Sequence, residues 1–525
     1  MAKRLLSRRS SLADTLRQHP AAAAVTGVSL LLIPVGAAIY FAGLHTGDHN
    51  TILRGILCLF LSNMLYGGVR IRDRIIFLVF HVALFTFLLS RPFISMLQDF
   101  AWWTVVTDPD NFGLRALFLT LLCLRLGAMA GNRILERRLS AAPPRTPAAE
   151  DERRRVFRCA LQRTSLLLYA AGLAAHILLS YELITFMHGR NYLEYYTTFQ
   201  SQYPFYVHTL DAMMKYALCL FLATMPRKRV AFLPLATYLL AAVPSLLIGL
   251  RNPIVLAALF ILLYYLLRDI LHDRERWMGR LEWIGVIVAA PCAMVFLALY
   301  AFIRADLNTS MNLWQSIVEF FYSQGVSFEV LSRGYLAIPY LPNVIPKNYT
   351  FGPFTDYFLH GTIAQKLFHA VDLGTQNSEL IAVYGHSFAH SMSYVANRDY
   401  LAGHGWGSSY LLELFVDWGY WGVAIGSVLL GMVLVLMLLA VRRGILARAV
   451  TLVSLTTVFF LPRDSALGWL LFTVTIQFWA AVIACYVSAA VLRKLYFTLS
   501  GRTKNPLAFL SHPLWEKPDK PSESV

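Results

Sequence analysis

The sequence has little charge for its length. Only 14% of its 525 residues are Asp, Glu, Lys or Arg, whereas about a quarter of a soluble chain is charged. Hydrophobic residues make up 57%, and the mean hydropathy is +0.54. These values exclude a soluble enzyme and a disordered protein, and they predict an all-α polytopic membrane protein.

Cysteine is also scarce. The six cysteines lie in apolar stretches or at their edges and form no Cys-x-x-Cys pair, so neither a disulfide scaffold nor a structural zinc site is indicated. The net charge of +16 does not point to nucleic acid, because a membrane protein that retains Lys and Arg on one face has the same surplus.

Apolar segments of about 17–25 residues predict about twelve transmembrane helices. They lie at 22–44, 51–69, 74–94, 113–131, 158–187, 207–225, 230–250, 252–268, 282–303, 419–441, 449–462 and 467–492. The chain is thereby divided into an N-terminal bundle of about nine spans (1–303), a large loop region (304–418), C-terminal transmembrane helices (419–492) and a tail (493–525).

The charge of the connectors predicts the orientation. If the N-terminus is cytoplasmic, most of the 46 Lys and Arg residues fall on the cytoplasmic side, as the positive-inside rule requires. Both termini are then cytoplasmic, and the aromatic-rich loop 304–418 is extracytoplasmic. So long a loop usually carries function, and we expect a re-entrant helix in it near 408–418.

Three arginines are predicted at one depth on the outer side. Arg251 and Arg463 lie in tight turns between spans, and Arg304 closes the ninth span. A guanidinium group can bind a phosphate through two parallel hydrogen bonds. Each arginine alone could instead be interfacial or ion-paired, for example Arg463 with Asp464. The three together favour an anion site.

A second cluster of polar residues lies at 376–421. His386 and His390 are four residues apart and share a face of any helix formed there. That spacing also suits two metal ligands, but no further ligand motif accompanies it, and we predict no metal or other cofactor. Ser408 precedes a stretch typical of a helix, which it could cap, and in that stretch Glu413 and Asp417 are again four apart. A helix N-terminus here would be an anion site; the alternative is a capped helix with an acidic stripe on its surface.

The stretch GHGWGSSYLLELFVDWGYWGVAIGSVLLG (403–431) resembles a signature of the Wzy-type polysaccharide polymerases, membrane enzymes that polymerise O-antigen and related repeat units. NSELIAVYGHSFAHSMSY (377–394), GLRNP (249–253) and LPRDS (461–465) agree with it. The resemblance implies a fold similar to the GT-C glycosyltransferases, a place in the bacterial cytoplasmic (inner) membrane and an extracytoplasmic active site. It also implies chemistry without a metal.

The reaction that the resemblance implies joins two lipid-linked glycans. The donor is a growing glycan on undecaprenyl pyrophosphate, and the acceptor is one repeat unit on a second undecaprenyl pyrophosphate. A hydroxyl at the acceptor's non-reducing end attacks the donor's anomeric carbon, and undecaprenyl pyrophosphate leaves. The expected partners are these two substrates and the bilayer, with a chain-length-regulating co-polymerase as a further candidate.

This chemistry assigns candidate roles to the polar residues. A departing pyrophosphate needs fixed positive charge, for which Arg251 and Arg463 are the catalytic candidates. The attacking hydroxyl needs a general base, and His390 and Glu413 are preferred. The candidates for substrate binding are Arg304, Arg333, Glu379, His386, Tyr394, His404, Ser408, Tyr410 and Asp417.

Three other functions compete. GT-C enzymes with a polyprenyl monophosphate donor usually carry an acidic pair in the first outward loop, whereas LHTGDHN contains Asp48 alone. An O-antigen ligase would share the architecture and the arginines. A lipid-linked oligosaccharide flippase also fits twelve spans, but it should place charge throughout a central cavity, and in this sequence the polar groups cluster at one face.

Overall fold

The computed structural model of the chain describes residues 20–102, 107–140, 152–190, 193–271, 275–304, 312–374, 376–499, 506–511 and 514. Throughout these residues the regular structure is helical and contains no strand. Eleven of the helices are long and apolar enough to cross a membrane. The predicted all-α polytopic fold is therefore confirmed, and the number of spans is close to the expected twelve.

The helices of the N-terminal half are α1 (Pro20–Thr46), α2 (His49–Val69), α3 (Ile71–Leu97), α4 (Thr107–Ser140), α5 (Glu152–Met187), α6 (Leu193–Thr198), α7 (Phe205–Ala223), α8 (Lys228–Ala241), α9 (Asn252–Ile270) and α10 (Arg280–Arg304). The predicted span 207–225 corresponds to α7. Asp211 and Lys215 lie within this helix, which is not among the eleven apolar helices.

The helices of the C-terminal half are α11 (Leu313–Gln324), α12 (Ser327–Ala337), α13 (Gly352–Leu359), α14 (Thr362–Phe368), α15 (Glu379–Tyr384), α16 (Phe388–Ala396), α17 (Tyr410–Val441), α18 (Ile445–Leu455), α19 (Gly468–Leu471) and α20 (Ile476–Leu499). The predicted loop region 304–418 thus contains α11 to α16 and the first residues of α17.

Helix starts follow from local sequence chemistry. Asp48 precedes α2, and its carboxylate accepts hydrogen bonds from the backbone N–H groups of Asn50 and Thr51, which satisfies donors that a helix start leaves unpaired. The start of α9 has Pro253 in its first turn, where a missing N–H costs nothing. Asp48 therefore has a structural role that needs no acidic partner.

Glycines allow the two central helices, α4 and α17, to pack closely. A Cβ atom on Gly127 would lie 1.9 Å from the carbonyl oxygen of Val428, and one on Gly431 would lie 2.2 Å from that of Leu124. Within lipid there is little hydrophobic drive for helices to associate, so close backbone approach at small residues supplies much of the contact. The two helices run parallel, which places the start of α17 and the start of α4 at the same end of the bundle.

The helices of region 304–418 dock on this end. The hydroxyl of Ser90, in α3, donates to the backbone oxygen of Phe321 in α11 at 2.8 Å. At the end of α11, Gly325 lies so close to Arg91 that a Cβ atom would be 2.5 Å from the Arg91 backbone nitrogen. The region is thereby fixed against the transmembrane helices and positions its polar residues over their ends.

Candidate active site

The two predicted catalytic arginines lie in separate turns within electrostatic range of each other. Arg251 directly precedes α9, and one of its N–H groups donates to the backbone oxygen of Leu297 at 3.3 Å. Arg463 ends a 3-10 turn, Val458–Arg463, that follows α18. Their guanidinium groups lie close enough to repel each other. The third arginine, Arg304, ends α10, but its side chain lies outside the described residues.

The alternative ion pair between Arg463 and Asp464 is not formed. Among the residues that the structure describes, Arg463 makes no hydrogen bond or ion pair with a side chain. Asp464 has extended backbone (φ −139°, ψ 175°), and one of its oxygens instead accepts the Ser465 N–H at 2.8 Å. Half-buried Arg463 thus keeps its hydrogen-bonding capacity available for an anion.

Glu413 connects the start of α17 to the turn after Arg463. It is 2% exposed. Its Oε1 accepts from the Ser408 hydroxyl at 2.8 Å, and its Oε2 accepts from the Ala466 N–H at 2.7 Å. Ser408 was expected as a helix cap, but Ser409 is the N-cap residue and its side chain makes no capping bond. Since both oxygens of Glu413 are engaged, the arrangement fits a positioning residue better than an open base.

Two further carboxylates lie near Glu413. Asp464 and Asp417 are each close enough to repel its charge. Burial raises the pKa of Asp464 to about 6, so this side chain can carry a proton near neutral pH. Asp417 accepts from the backbone N–H groups of Tyr349 and Thr350 at 3.1 and 2.7 Å. Glu413 and Asp417 therefore hold neighbouring segments rather than forming an exposed acidic stripe.

A break in α17 separates these residues from the rest of the helix. Gly419 has φ +61° and ψ −156°, a conformation essentially confined to glycine, and Trp418 before it is also non-helical. The break lies at the boundary predicted between the loop region and the tenth span. Tyr410 to Asp417 consequently form a separate helical piece whose orientation differs from that of the membrane-spanning part.

The histidines form a hydrogen-bonded cluster in α13 to α16. The Nδ1 atom of His386 lies 2.9 Å from Oδ1 of Asp356, which also accepts the His386 backbone N–H. The Nδ1 atom of His390 lies 2.9 Å from the Tyr400 hydroxyl, which donates to the backbone oxygen of Ser378 at 3.2 Å. Because that hydroxyl proton is used, Nδ1 of His390 is the donor and Nε2 carries the lone pair.

This tautomer makes His390 suitable as a base. Burial lowers the pKa of His390, although the Asp356 carboxylate opposes this effect, so the imidazole is neutral at pH 7. Its Nε2 atom has no partner among the described residues. A neutral imidazole with an open Nε2 can accept a proton from a substrate hydroxyl.

The segment that precedes α13 links the histidine cluster to the part of the site that contains Arg251 and Arg463. Lys347 donates to the Ala382 oxygen at 2.8 Å and to the Ser391 hydroxyl at 3.0 Å, and burial lowers its pKa to about 8. Two residues later, the Tyr349 backbone is held by Asp417. At the end of α13, the Tyr357 hydroxyl accepts the Ile476 N–H at 2.8 Å.

The remaining predicted binding residues are more scattered. The Arg333 guanidinium stacks 4.2 Å from the Trp406 ring centroid and lies 3.9 Å from Glu329. The Glu379 carboxylate raises the pKa of the neighbouring Tyr394 phenol. His404 contributes its backbone, whose oxygen accepts from Asn377. Tyr410 is buried and lines an apolar groove along α17.

An apolar groove of about 860 Å³ follows α17. Its walls include Trp418, Trp421, Leu429 and Trp469, and Thr350 lies at its outer end. The groove is therefore lined almost entirely by hydrocarbon and indole, and it begins beside the segment that joins the two polar clusters. A long hydrocarbon chain is the kind of ligand whose transfer from water such a surface favours.

Several polar residues of the folded protein have no local signal in the sequence. Glu319 lies near Arg91 and Arg251, and burial raises its pKa. Arg91 pairs with Glu329 at 2.8 Å. Lys215 lies 3.5 Å from the Phe472 ring centroid. These contacts join segments that are far apart in the chain, so no sequence pattern could have identified them.

A family model described as O-antigen polysaccharide polymerase Wzy matches residues 26–495. The chain belongs to this family. The earlier resemblance is thereby confirmed over nearly the whole chain. No curated protein and no solved structure matches it, so the likeness to GT-C glycosyltransferases stays a prediction.

Membership of the Wzy family fixes the general activity. The chain is a multi-pass inner-membrane protein of the type that polymerises lipid-linked O-antigen repeat units, a glycosyltransferase-type reaction. Within the described residues, no group of three or more His, Cys, Asp or Glu side chains is arranged to hold a metal ion. For this Wzy-family chain, metal independence and the roles of individual residues remain predictions.

Proposed function

We propose that the protein polymerises undecaprenyl-pyrophosphate-linked repeat units on the outer face of the inner membrane. It transfers the growing glycan onto the non-reducing end of an incoming repeat unit. The supporting observation is the convergence of Arg251 and Arg463 from two separate turns, with Arg463 not engaged by any described carboxylate. The undecaprenyl carrier and the side of the membrane come from the sequence resemblance and the positive-inside rule.

In the proposed reaction, an acceptor hydroxyl oxygen forms a bond to the donor's anomeric carbon. The bond from that carbon to the pyrophosphate oxygen breaks, and its electron pair leaves with undecaprenyl pyrophosphate. Arg251 and Arg463 stabilise the charge that grows on the leaving group, because fixed guanidinium groups need no reorganisation at that moment. The proton of the hydroxyl passes to Nε2 of His390.

Glu413 acts in this scheme as a positioning residue. Its bonds to Ser408 and Ala466 fix the turn that carries Arg463 against the start of α17. The groove along α17 accommodates the isoprenoid tail of one substrate, with the pyrophosphate at the outer end of the groove. The His386–Asp356 pair, Tyr394 and Arg333 lie in the region that would contact sugars.

The test is reconstitution. Purified protein in liposomes is incubated with an undecaprenyl-pyrophosphate-linked repeat unit, with and without EDTA, and the products are separated by gel electrophoresis. A ladder of polymer that persists in EDTA is expected. The absence of a ladder, with transfer of glycan to added lipid A instead, would assign a ligase; the absence of any transfer would contradict a glycosyltransferase.

The control protein for this assay is Arg137→Gln. Arg137 is exposed in the last turn of α4, at the other end of the bundle, and should leave the ladder unchanged. A ladder made equally by the Arg251→Ala/Arg463→Ala double variant would remove the leaving-group role while leaving the family activity intact.

A further inference from the structure

A basic pocket lies at the end of the bundle opposite the candidate active site. It has a volume of about 500 Å³ and is built where α17 ends and α18 begins, between the N-terminal part of α5 and the C-terminal part of α20. Five arginines line it: Arg154, Arg158, Arg443, Arg448 and Arg493. The positive-inside rule assigns this end to the cytoplasm.

Among the residues that the structure describes, no acidic side chain lines this basic pocket. Within the part of the chain that the structure describes, Arg154, Arg443 and Arg493 form no ion pair with a carboxylate. Like charges gathered around one cavity repel each other, so the arrangement is stabilised when an anion enters. Structural salt bridges among the described residues therefore do not hold these three arginines in place.

One of the five arginines helps to build the pocket. Arg448 donates to the backbone oxygens of Ala223 and of Val441, the latter at 2.9 Å, and so fastens the start of α18 to the ends of α7 and α17. The N-cap of α18 is Gly444, without a side-chain cap. The start of this eleven-residue helix lines the same cavity through Gly444 and Ile445, and the partial positive charge of a helix N-terminus adds to the attraction for an anion.

Apolar groups complete the basic pocket. Phe157, Met225 and Ile445 also line it, and the Arg493 guanidinium lies 5.3 Å from the Phe157 ring centroid. Charge at the membrane surface beside apolar side chains in one cavity matches a phospholipid, which carries a phosphate next to its acyl chains.

We propose that this basic pocket binds the headgroup of an anionic phospholipid of the cytoplasmic leaflet. Basic pockets between transmembrane helices at this membrane face suit lipids that carry phosphate. The guanidinium groups of Arg154, Arg443 and Arg493 together offer more N–H donors than one phosphate can accept, so a lipid with two phosphates, such as cardiolipin, is the best match. The site is independent of the polymerase reaction at the opposite end.

Native mass spectrometry of the purified full-length protein tests this proposal. The protein in detergent is mixed with cardiolipin or, separately, with phosphatidylcholine. We expect the wild type to retain cardiolipin in preference to phosphatidylcholine, and the Arg443→Gln/Arg493→Gln variant to retain at least tenfold less. Neither arginine side chain forms a hydrogen bond within the described part of the chain, so the variant should keep its fold.

Two matched variants separate charge at the basic pocket from charge in general. Arg137→Gln/Arg138→Gln removes two exposed arginines from the last turn of α4 at the same end and should retain cardiolipin like the wild type. Arg443→Lys/Arg493→Lys keeps the charge and should retain most of the lipid. Equal loss of lipid in the α4 variant and the pocket variant would overturn the proposal.

Inorganic phosphate and pyrophosphate distinguish a lipid headgroup from a free anion. Each is added at the same phosphate concentration as cardiolipin, and the thermal unfolding midpoint is recorded. We expect a rise with cardiolipin that the Arg443→Gln/Arg493→Gln variant lacks, and a smaller rise with the free anions. An equal rise with the free anions would overturn the assignment to a lipid.

Discussion

The two ends of the bundle use arginine in opposite ways. At the outer end, Arg251 donates to the Leu297 backbone oxygen and lies near the Glu319 carboxylate. The turn after Arg463 is held by a hydrogen bond from the Ala466 N–H to Glu413. At the inner end, five arginines surround a pocket that no acidic side chain of the described residues lines. A site in which charge grows during a reaction benefits from positive groups that are held in place by nearby acids and backbone bonds. An acid-free cluster suits an anion that stays bound.

The ends also differ in their bases. The outer end contains His386 and His390, each oriented through Nδ1, whereas no histidine of the described residues lines the inner pocket. A histidine base and an arginine pair therefore occur together at the outer end, where proton transfer and charge stabilisation are both required.

Replacing His390 should have the largest effect. If Nε2 of His390 accepts the proton, His390→Ala should lower the polymerisation rate by about 10²–10⁴-fold while the protein remains folded. The measurement is the rate of ladder formation in liposomes. His188→Ala, which removes an exposed histidine at the end of α5, is the matched control. A rate for His390→Ala within a few-fold of the wild type would remove the proposed base.

Replacing Arg463 should have the next largest effect. Loss of one fixed donor to a developing anion costs about 10²–10³-fold in rate, and Arg463→Ala should fall in that range. Arg463→Lys keeps the charge but not the planar pair of donors and should be intermediate, with shorter polymer on gels. Wild-type polymer length in Arg463→Lys and Arg251→Lys alike would indicate that the two arginines do not meet the leaving group.

The sequence could predict where the outer arginines lie but not what surrounds them. Arg251 and Arg463 each interrupt an apolar run at a tight turn, and hydropathy alone therefore places them at one depth. Glu413 bonds to Ala466, 53 residues away, and such a pairing has no local signature. Ser408 shows a different limit, because its local pattern predicted a helix cap, whereas its hydroxyl donates to the Glu413 carboxylate five residues later.

The basic pocket at the inner end could not be predicted for a related reason. Its arginines come from three separate parts of the chain, and in the sequence each belongs to an ordinary cytoplasmic connector that the positive-inside rule already explains. Only helix packing brings them around one cavity. Conversely, the break at Gly419 had a clear local signal, because the polar piece before it ends where an apolar run begins.

Glu413→Ala should destabilise the outer end without affecting the inner one. It leaves the Ala466 N–H and the Ser408 hydroxyl without their partner in a buried site, at a cost of about 1–3 kcal/mol for each group. We expect a lower thermal unfolding midpoint and reduced activity, with cardiolipin retention unchanged. Glu413→Gln keeps an acceptor for one donor and should recover part of the midpoint; full activity in Glu413→Ala would contradict the positioning role.

Gly419→Ala tests whether the break in α17 matters. A side chain in this backbone conformation costs of order 1–3 kcal/mol, so we expect a lower unfolding midpoint or a reoriented start of α17 with reduced activity. Gly285→Ala is the control, because Gly285 lies within α10 with open space around it and alanine favours a helix. Equal unfolding midpoints for the two variants would show that an alanine side chain at position 419 does not strain the break in α17.

Replacing Asp356 should have the smallest effect, because its carboxylate changes only the pKa of the proposed base, His390. Burial lowers the pKa of His390, and the Asp356 carboxylate raises it. His390 can act as a base only when it is deprotonated. Wild-type activity should therefore persist below the ordinary histidine pKa of about 6.5 and should fall with further acidification. Asp356→Asn removes the negative charge that stabilises the imidazolium, and the pH at which activity is half lost should therefore move lower. The pH–rate profile measures this midpoint, and a shift to higher pH would mean that the histidine acts as a proton donor or that another group titrates.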